Sequence, residues 1–129
     1  MESRFLDLPD VLMIHADQIA RYGGSPEIRD AGLLASAVAV ARAGFAGEPL
    51  HADHFEVAAA YLFHIVQNHP FVDGNKRTGL ATALVFLDGC GVAVEASDDA
   101  LVDLVLDVAQ GRLGKHEIAE FLHAHSQPV

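Results

Sequence analysis

Two stretches of this chain, Phe55–Val66 and Leu80–Leu87, are apolar nearly all the way round a helical wheel. A surface helix buries one stripe, whereas a helix that is apolar on every side must be surrounded by protein. Any fold for this chain therefore has two helices at its centre, joined by a short connection. That connection is His69-Pro-Phe-Val-Asp-Gly-Asn-Lys-Arg77, which sets an imidazole, a carboxylate, an amide and two cations between two greasy segments.

The remaining periodicity is also helical. Leu8, Val11, Leu12, His15, Ile19 and Tyr22 share one face, with Asp7 as N-cap, Pro9 in the first turn and Gly23-Gly24 as the stop. Asp30 opens a helix over about 31–43. Asp53 with Glu56 reads as a capping box that starts the first central helix, which continues to about Asn68. The second runs from about Asn75 to Asp88 and ends at Gly89-Cys90-Gly91, before a short extended piece at Val92–Val94. Ser97 caps a helix with Leu101, Leu104, Val105 and Val108 inward and Asp99, Asp103 and Asp107 on a solvated face. A last helix aligns Ile118, Phe121, Leu122 and His125. The pattern predicts an all-α, compact bundle of about six helices, with residues 1–129 as a single domain.

Charge narrows the function. The chain carries 8 Lys+Arg against 18 Asp+Glu, a formal net charge of −10, so it lacks the basic face with which nucleic-acid binders neutralise phosphates. Direct nucleic-acid binding and membrane spanning are not expected, since no apolar run approaches ~20 residues. The start, Met-Glu-Ser-Arg-Phe-Leu-Asp, reads as mature protein. A lone cysteine, Cys90, fits a reducing cytoplasm. On so acidic a chain the one adjacent basic pair, Lys76-Arg77, suits a small anionic ligand.

The loop can be read as phosphate chemistry. Gly74, Asn75 and Lys76 stand at a helix start, where backbone N–H groups lack acceptors and the helix dipole favours anions. Asp73 is a hard oxygen ligand suited to Mg²⁺. Arg77 offers a planar fork and Lys76 a movable charge to phosphate oxygens. His69 can accept a hydroxyl proton, while Pro70 and Phe71 fix the backbone and plug into the core. No Ser or Cys nucleophile accompanies these groups. The same residues also fit a plain interhelical loop with Asp73 as N-cap and Lys76-Arg77 solvated, and residue chemistry alone leaves both readings open.

The segment resembles the Fic/Doc signature His-x-Phe-x-Asp/Glu-Gly/Ala-Asn-Gly/Lys-Arg. The resemblance extends over nearly the whole chain, through Ile14-His-Ala-Asp-Gln-Ile-Ala-Arg-Tyr-Gly-Gly24, Ile28-Arg-Asp30 and Ala60-Tyr-Leu-Phe-His-Ile-Val-Gln-Asn-His69. It implies an all-α fold and transfer of part of a nucleotide to a protein hydroxyl, with ATP and Mg²⁺ as cofactors. His69 is then the base, Asp73 the Mg²⁺ ligand, and Gly74, Asn75, Lys76 and Arg77 the phosphate contacts, with Pro70 and Phe71 structural. Lysine at position 76, where AMP-transferring relatives have glycine, and Leu80, where they commonly have a second arginine, point to the Doc type. That type is implied to be a death-on-curing toxin and a protein kinase that phosphorylates elongation factor Tu. Gly74 stands where some Doc-type loops have Ala. No Ser/Thr-x-x-x-Glu inhibitory motif is present, so the resemblance implies silencing in trans by a Phd-like antitoxin.

Three functions from two classes follow: a γ-phosphate kinase toxin or an AMP-transferring enzyme, and a catalytically weak module that acts by binding its partner. Other features are weaker. His51-Ala-Asp-His54 and His123-Ala-His125 have ligand spacing without a completing residue, and His15 and His64 read as satisfied core histidines. Cys90 has no catalytic partner close in sequence. Gly44–Asp53 is either a flap that positions a target chain or a surface connection.

Overall fold

The computed structural model describes residues 5–45, 48–49 and 53–129, with backbone alone at 44–45 and 48–49. Six α-helices lie among the described residues: α1 (Leu8–Tyr22), α2 (Ala31–Ala41), α3 (His54–Asn68), α4 (Asn75–Gly89), α5 (Asp98–Ala109) and α6 (Lys115–Ala124). The predicted all-α bundle is what the chain forms. Two short antiparallel pairs accompany it, β1 (Gly44–Phe45) with β2 (Glu48–Pro49), and β3 (Val92–Val94) with β4 (Ser126–Pro128).

Four helices start on a short polar side chain that accepts from the first turn. These are Asp7 from Asp10 N, Asp30 from Leu33 N, Asp53 from Glu56 N and Ser97 from Ala100 N. Asp7 and Asp10 close a full capping box, and the Asp10 N–H, then the Asp10 side chain, hold the Asp7 carboxyl below its usual range. Helix α2 stops at Ala41, two residues before the predicted end. There Arg42 N and Ala43 N bond to Ala39 O and Val40 O, tightening the last turn to i→i−3 spacing.

The central pair is α3 and α4, as their all-round apolarity predicts. Val57–Leu62, Ile65 and Val66 are buried on α3, and Ala83, Phe86 and Leu87 on α4. The two backbones approach closely at Gly79, where a Cβ would fall 2.9 Å from Val66 Cγ2 and 3.2 Å from the Leu62 carbonyl oxygen. One apolar core joins α3 and α4 to α5 and α6. A second, smaller core gathers Val11 of α1, Leu34, Ala37 and Val38 of α2, Ile65 of α3 and Phe71 of the α3–α4 loop. The functional loop is therefore built into a core. Tyr61 of α3 ties down the segment before α1, since its hydroxyl donates to Leu6 O and accepts from Leu6 N, both at 2.8 Å.

The apolar stripe of α1 is not buried to its end. Tyr22, aligned with the buried stripe of α1, is 65% exposed, because the last turn of α1 overhangs the start of α4 and the ring meets Arg77 there. The β4 segment, Ser-Gln-Pro, has no strand-like alternation. It pairs because α6 ends beside β3, with Glu95 N donating to His125 O and Val129 N to Gly91 O.

Candidate active site

His69 ends α3 in the left-handed conformation, with φ 51° and ψ 53°. It is the only non-glycine residue with positive φ among the described residues. This helix-ending position normally takes glycine or asparagine, because a Cβ costs ~1–2 kcal/mol there. Its imidazole is exposed. A strained, exposed histidine points to a side chain kept for chemistry. Arg29 supports it from the segment between α1 and α2. Its Nε donates to His69 O at 2.6 Å and its Nη2 to Asn68 O at 2.9 Å. A guanidinium at the C-terminus of α3 meets carbonyls without helical partners and the negative end of the dipole.

The same segment, residues 23–30, straps the rest of the loop. Arg29 N and Asp30 N donate to Pro70 O at 2.7 and 2.9 Å, and Val72 N donates to Glu27 O at 3.0 Å. Ile28 and Phe71 form an antiparallel bridge. Inside the loop, buried Asn75 brackets Phe71, its Oδ1 accepting from Phe71 N and its Nδ2 donating to Phe71 O, both at 2.9 Å. Phe71 itself is fully buried and lies 3.6 Å from the ring of His15, nearly parallel to it.

Helix α4 begins differently from the four helices described above. Its N-cap is Gly74, at φ 81°, and no side chain covers its first turn. The first helical bond is Thr78 N to Gly74 O, so the N–H groups of Asn75, Lys76 and Arg77 precede the intrahelical ladder. These residues and Gly74 line a hollow of about 260 Å³. Lys76 is exposed beside it. Arg77 is held at one edge, its Nη2 donating to Gly23 O at 3.1 Å and its guanidinium 5.5 Å from the centroid of Tyr22. Its remaining N–H groups face no acceptor in that contact.

Asp73 is exposed, with Oδ2 accepting from Ser25 N at 2.8 Å. This bond orients the carboxylate and leaves Oδ1 for a cation. No group of three or more His, Cys, Asp or Glu able to hold a metal occurs among the described residues. A magnesium ion at Asp73 would take the rest of its shell from phosphate oxygens and water, which is its usual habit at nucleotide sites. The residues present fit Mg-nucleotide on that chemistry.

The structure thus gathers His69, Asp73, Gly74, Lys76 and Arg77 around the end of α3 and the start of α4. One group is engaged elsewhere: the Asn75 side chain is committed to the Phe71 peptide, which leaves its backbone N–H at the helix start. Sequence reasoning gave no role to Arg29, Ser25 and Glu27, which act through backbone contacts up to 48 positions away. The only available signal was that Ile28-Arg-Asp30 belongs to the resembling segments. The histidine clusters stay apart from the site. His123 stacks on Phe55, His125 Nδ1 bonds to Phe121 O, and His64 sits edge-on to Phe63. His51 lies outside the described residues, as does half of the flap segment, whose described part is the β1–β2 pair and Asp53.

Among the described residues no helix is long and apolar enough to cross a membrane. Comparison with known proteins agrees with this geometry. The model of the Fic/DOC family matches residues 5–87, which contain α1 to α4 except its last two residues, together with the strap and the loop. Protein kinase doc of Escherichia phage P1 is 36% identical over 119 residues, covering 92% of this chain and 93% of that protein. Toxin Doc of Mycolicibacterium smegmatis is 40% identical over 109 residues, covering 83% of this chain and 82% of that protein. With the signature loop seated between its two central helices and the match running through most of its length, the chain belongs to the Fic/Doc family.

Proposed function

We propose that this chain is the toxin of a toxin–antitoxin pair and a protein kinase that transfers the γ-phosphate of Mg-ATP to a Ser/Thr hydroxyl of a translation factor, expected to be elongation factor Tu. The observation that carries the reading is the uncapped start of α4. Three backbone N–H groups, Lys76 and Arg77 stand there around one hollow, and the same loop carries the exposed carboxylate of Asp73 and the exposed imidazole of His69. The names of the two relatives, one a kinase and one a toxin, point the same way.

Mg²⁺, when bound, neutralises phosphate charge and shares its oxygens. The chain's own residues do the rest. The amides of the first turn of α4 hold a phosphate against the helix dipole. Arg77 and Lys76 offset the charge that spreads over the oxygens of the transferred group. His69 takes the proton of the target hydroxyl as its oxygen bonds to the γ-phosphorus. The bond from the γ-phosphorus to the bridging oxygen breaks, and ADP leaves with the electron pair. Ser25, through its N–H, keeps Asp73 turned toward the phosphates.

A hollow beside the anion site supports the pairing with an antitoxin. Gln18 and Tyr22 of α1 with Leu80, Ala81 and Leu84 of α4 line a mainly apolar hollow of about 360 Å³ that shares Arg77 with the anion site. An amphipathic helix lying there would cover Arg77 and block the nucleotide.

The test incubates the protein with elongation factor Tu, Mg²⁺ and ATP labelled at the α- or the γ-phosphorus. Label from the γ position alone, lost in His69→Ala and silenced by added antitoxin, is the expected result. Label from the α position would mean AMP transfer in spite of Lys76. A growth phenotype that survives His69→Ala would leave only the binding-module reading.

A further inference from the structure

We infer that His15 is a positioning residue for the anion site, acting through the Asp73–Gly74 peptide to aim the Gly74 N–H at a bound phosphate; this rests on the phosphate-handling reading above. His15 lies on α1 and is 3% exposed, so it touches no substrate directly. Its ring is held flat against Phe71, with centroids 3.6 Å apart and planes 5° from parallel. In that pose Nε2 stands 2.9 Å from Asp73 O, a contact spanning 58 positions of sequence. A carbonyl oxygen only accepts, so Nε2 carries the proton.

A trans peptide is planar, and its C=O and N–H project from opposite edges. With the Asp73 oxygen fixed toward α1, the Gly74 N–H points away from α1. The hollow lined by Gly74, Asn75, Lys76 and Arg77 opens beside it. Gly74 is left-handed, at φ 81° and ψ 17°, and the helix that follows is right-handed. Such alternation turns successive N–H groups toward a common point, the geometry of an anion-binding nest. A fourth amide thereby joins the three at the start of α4. The fit around Gly74 is close: a Cβ there would lie 3.3 Å from Ile19 Cδ1 and 3.7 Å from His15 Cδ2.

Packing alone would be served as well by phenylalanine, which stacks on Phe71 without burying a polar ring. The histidine differs by one donor, and the structure uses that donor on the loop. Two substitutions separate these properties. His15→Phe keeps the ring and loses the donor. His15→Gln keeps an N–H donor at similar reach and loses the ring.

The experiment titrates Mg-ATP into ¹⁵N-labelled wild type and both variants, following the Gly74, Lys76 and Arg77 amide resonances, with thermal unfolding recorded in parallel. In the wild type all three amides are expected to shift. In His15→Phe the Gly74 response should vanish and Kd weaken by about tenfold, while Tm stays level or rises. In His15→Gln the Gly74 response should survive, with Kd within about threefold of wild type. A His15→Phe protein that binds like wild type with the Gly74 shift intact overturns the inference. So does a folded His15→Gln protein that loses both, which would leave the ring's packing as the cause. Failure of the wild type to bind Mg-ATP at the loop would sink this inference and the phosphate reading together. Normal binding without γ-phosphate transfer would sink only the kinase.

Discussion

Two connections in this molecule join helices across similar spans, and they are held in opposite ways. The α5–α6 connection, residues 110–114, is tied by its immediate neighbours. Gln110 N bonds to Leu106 O, Gly111 N to Val108 O, Arg112 N to Asp107 O, and Gly114 N to Glu117 Oε1, none more than five positions away. The α3–α4 connection, residues 69–74, is tied from far off in sequence. Arg29 reaches 40 positions to His69, Ser25 48 to Asp73 and His15 58 to Asp73. A locally capped turn needs only to reverse the chain. A loop that presents an imidazole, a carboxylate and a row of amides in fixed relation needs more than its own turns, and contacts from other elements add that constraint.

The sharpest probe of this contrast is His69→Gly. Glycine at the left-handed end of α3 removes the strain of a Cβ at φ 51°, so stability should rise by about 1 kcal/mol. Phosphate transfer should fall by about 10²–10⁴-fold with the base gone. Denaturant unfolding and γ-label transfer together check both signs. A variant that loses stability would mean that the imidazole packs in the fold, and the reading of His69 as a side chain kept for chemistry would fail.

Next in size is Arg29→Ala. It removes a forked contact to the last carbonyls of α3 without touching any group assigned to the nucleotide. Transfer is expected to slow by about ten- to hundredfold, as a catalytic group shifts slightly, with about 1 kcal/mol of stability lost. Arg29→Lys should recover only part of the rate, because a point charge cannot reproduce both bonds. Single-turnover label transfer measures this. A full rate in Arg29→Ala would show that the strap contributes packing and leaves His69 unaffected.

Legibility in the sequence follows the same division. The helices were legible because their causes are local: Asp7, Asp30, Asp53 and Ser97 announce starts, and apolar periodicity marks the faces. All-round apolarity placed α3 and α4 at the centre. The chemical groups of the loop were visible as a motif, but their supports were not. A backbone N–H such as that of Ser25 has no side-chain signature. Asn75 looked like a phosphate ligand because an amide can bond either to a ligand or to its own chain, and only the fold shows that it brackets Phe71. His15 read as a core histidine, and it is buried. That its one polar contact lands on Asp73 depends on how α1 crosses the loop, which no spacing along the chain encodes. The β3–β4 pairing was hidden for a similar reason, since it arises from where α6 ends.

The smallest expected effect completes the contrast. Arg112 and Asp107 form the one side-chain ion pair described at the α5–α6 connection, with Arg112 Nη1 3.3 Å from Asp107 Oδ1 and side chains 68% and 39% exposed. An exposed pair of this kind gains little from its charges, since water and salt screen them and ordering two side chains opposes the gain. The backbone bond from Arg112 N to Asp107 O, at 2.8 Å, remains whatever the side chain is. Arg112→Ala should therefore change stability by less than ~0.5 kcal/mol and leave label transfer at the wild-type rate. Thermal unfolding at low and high salt, run beside Arg29→Ala, measures the difference. Two arginines at two interhelical connections would then differ because one reaches across the fold to a strained histidine and the other only to its own turn. Equal losses in the two variants would erase that distinction, and the long-range ties of the α3–α4 loop would have to be read as ordinary surface contacts.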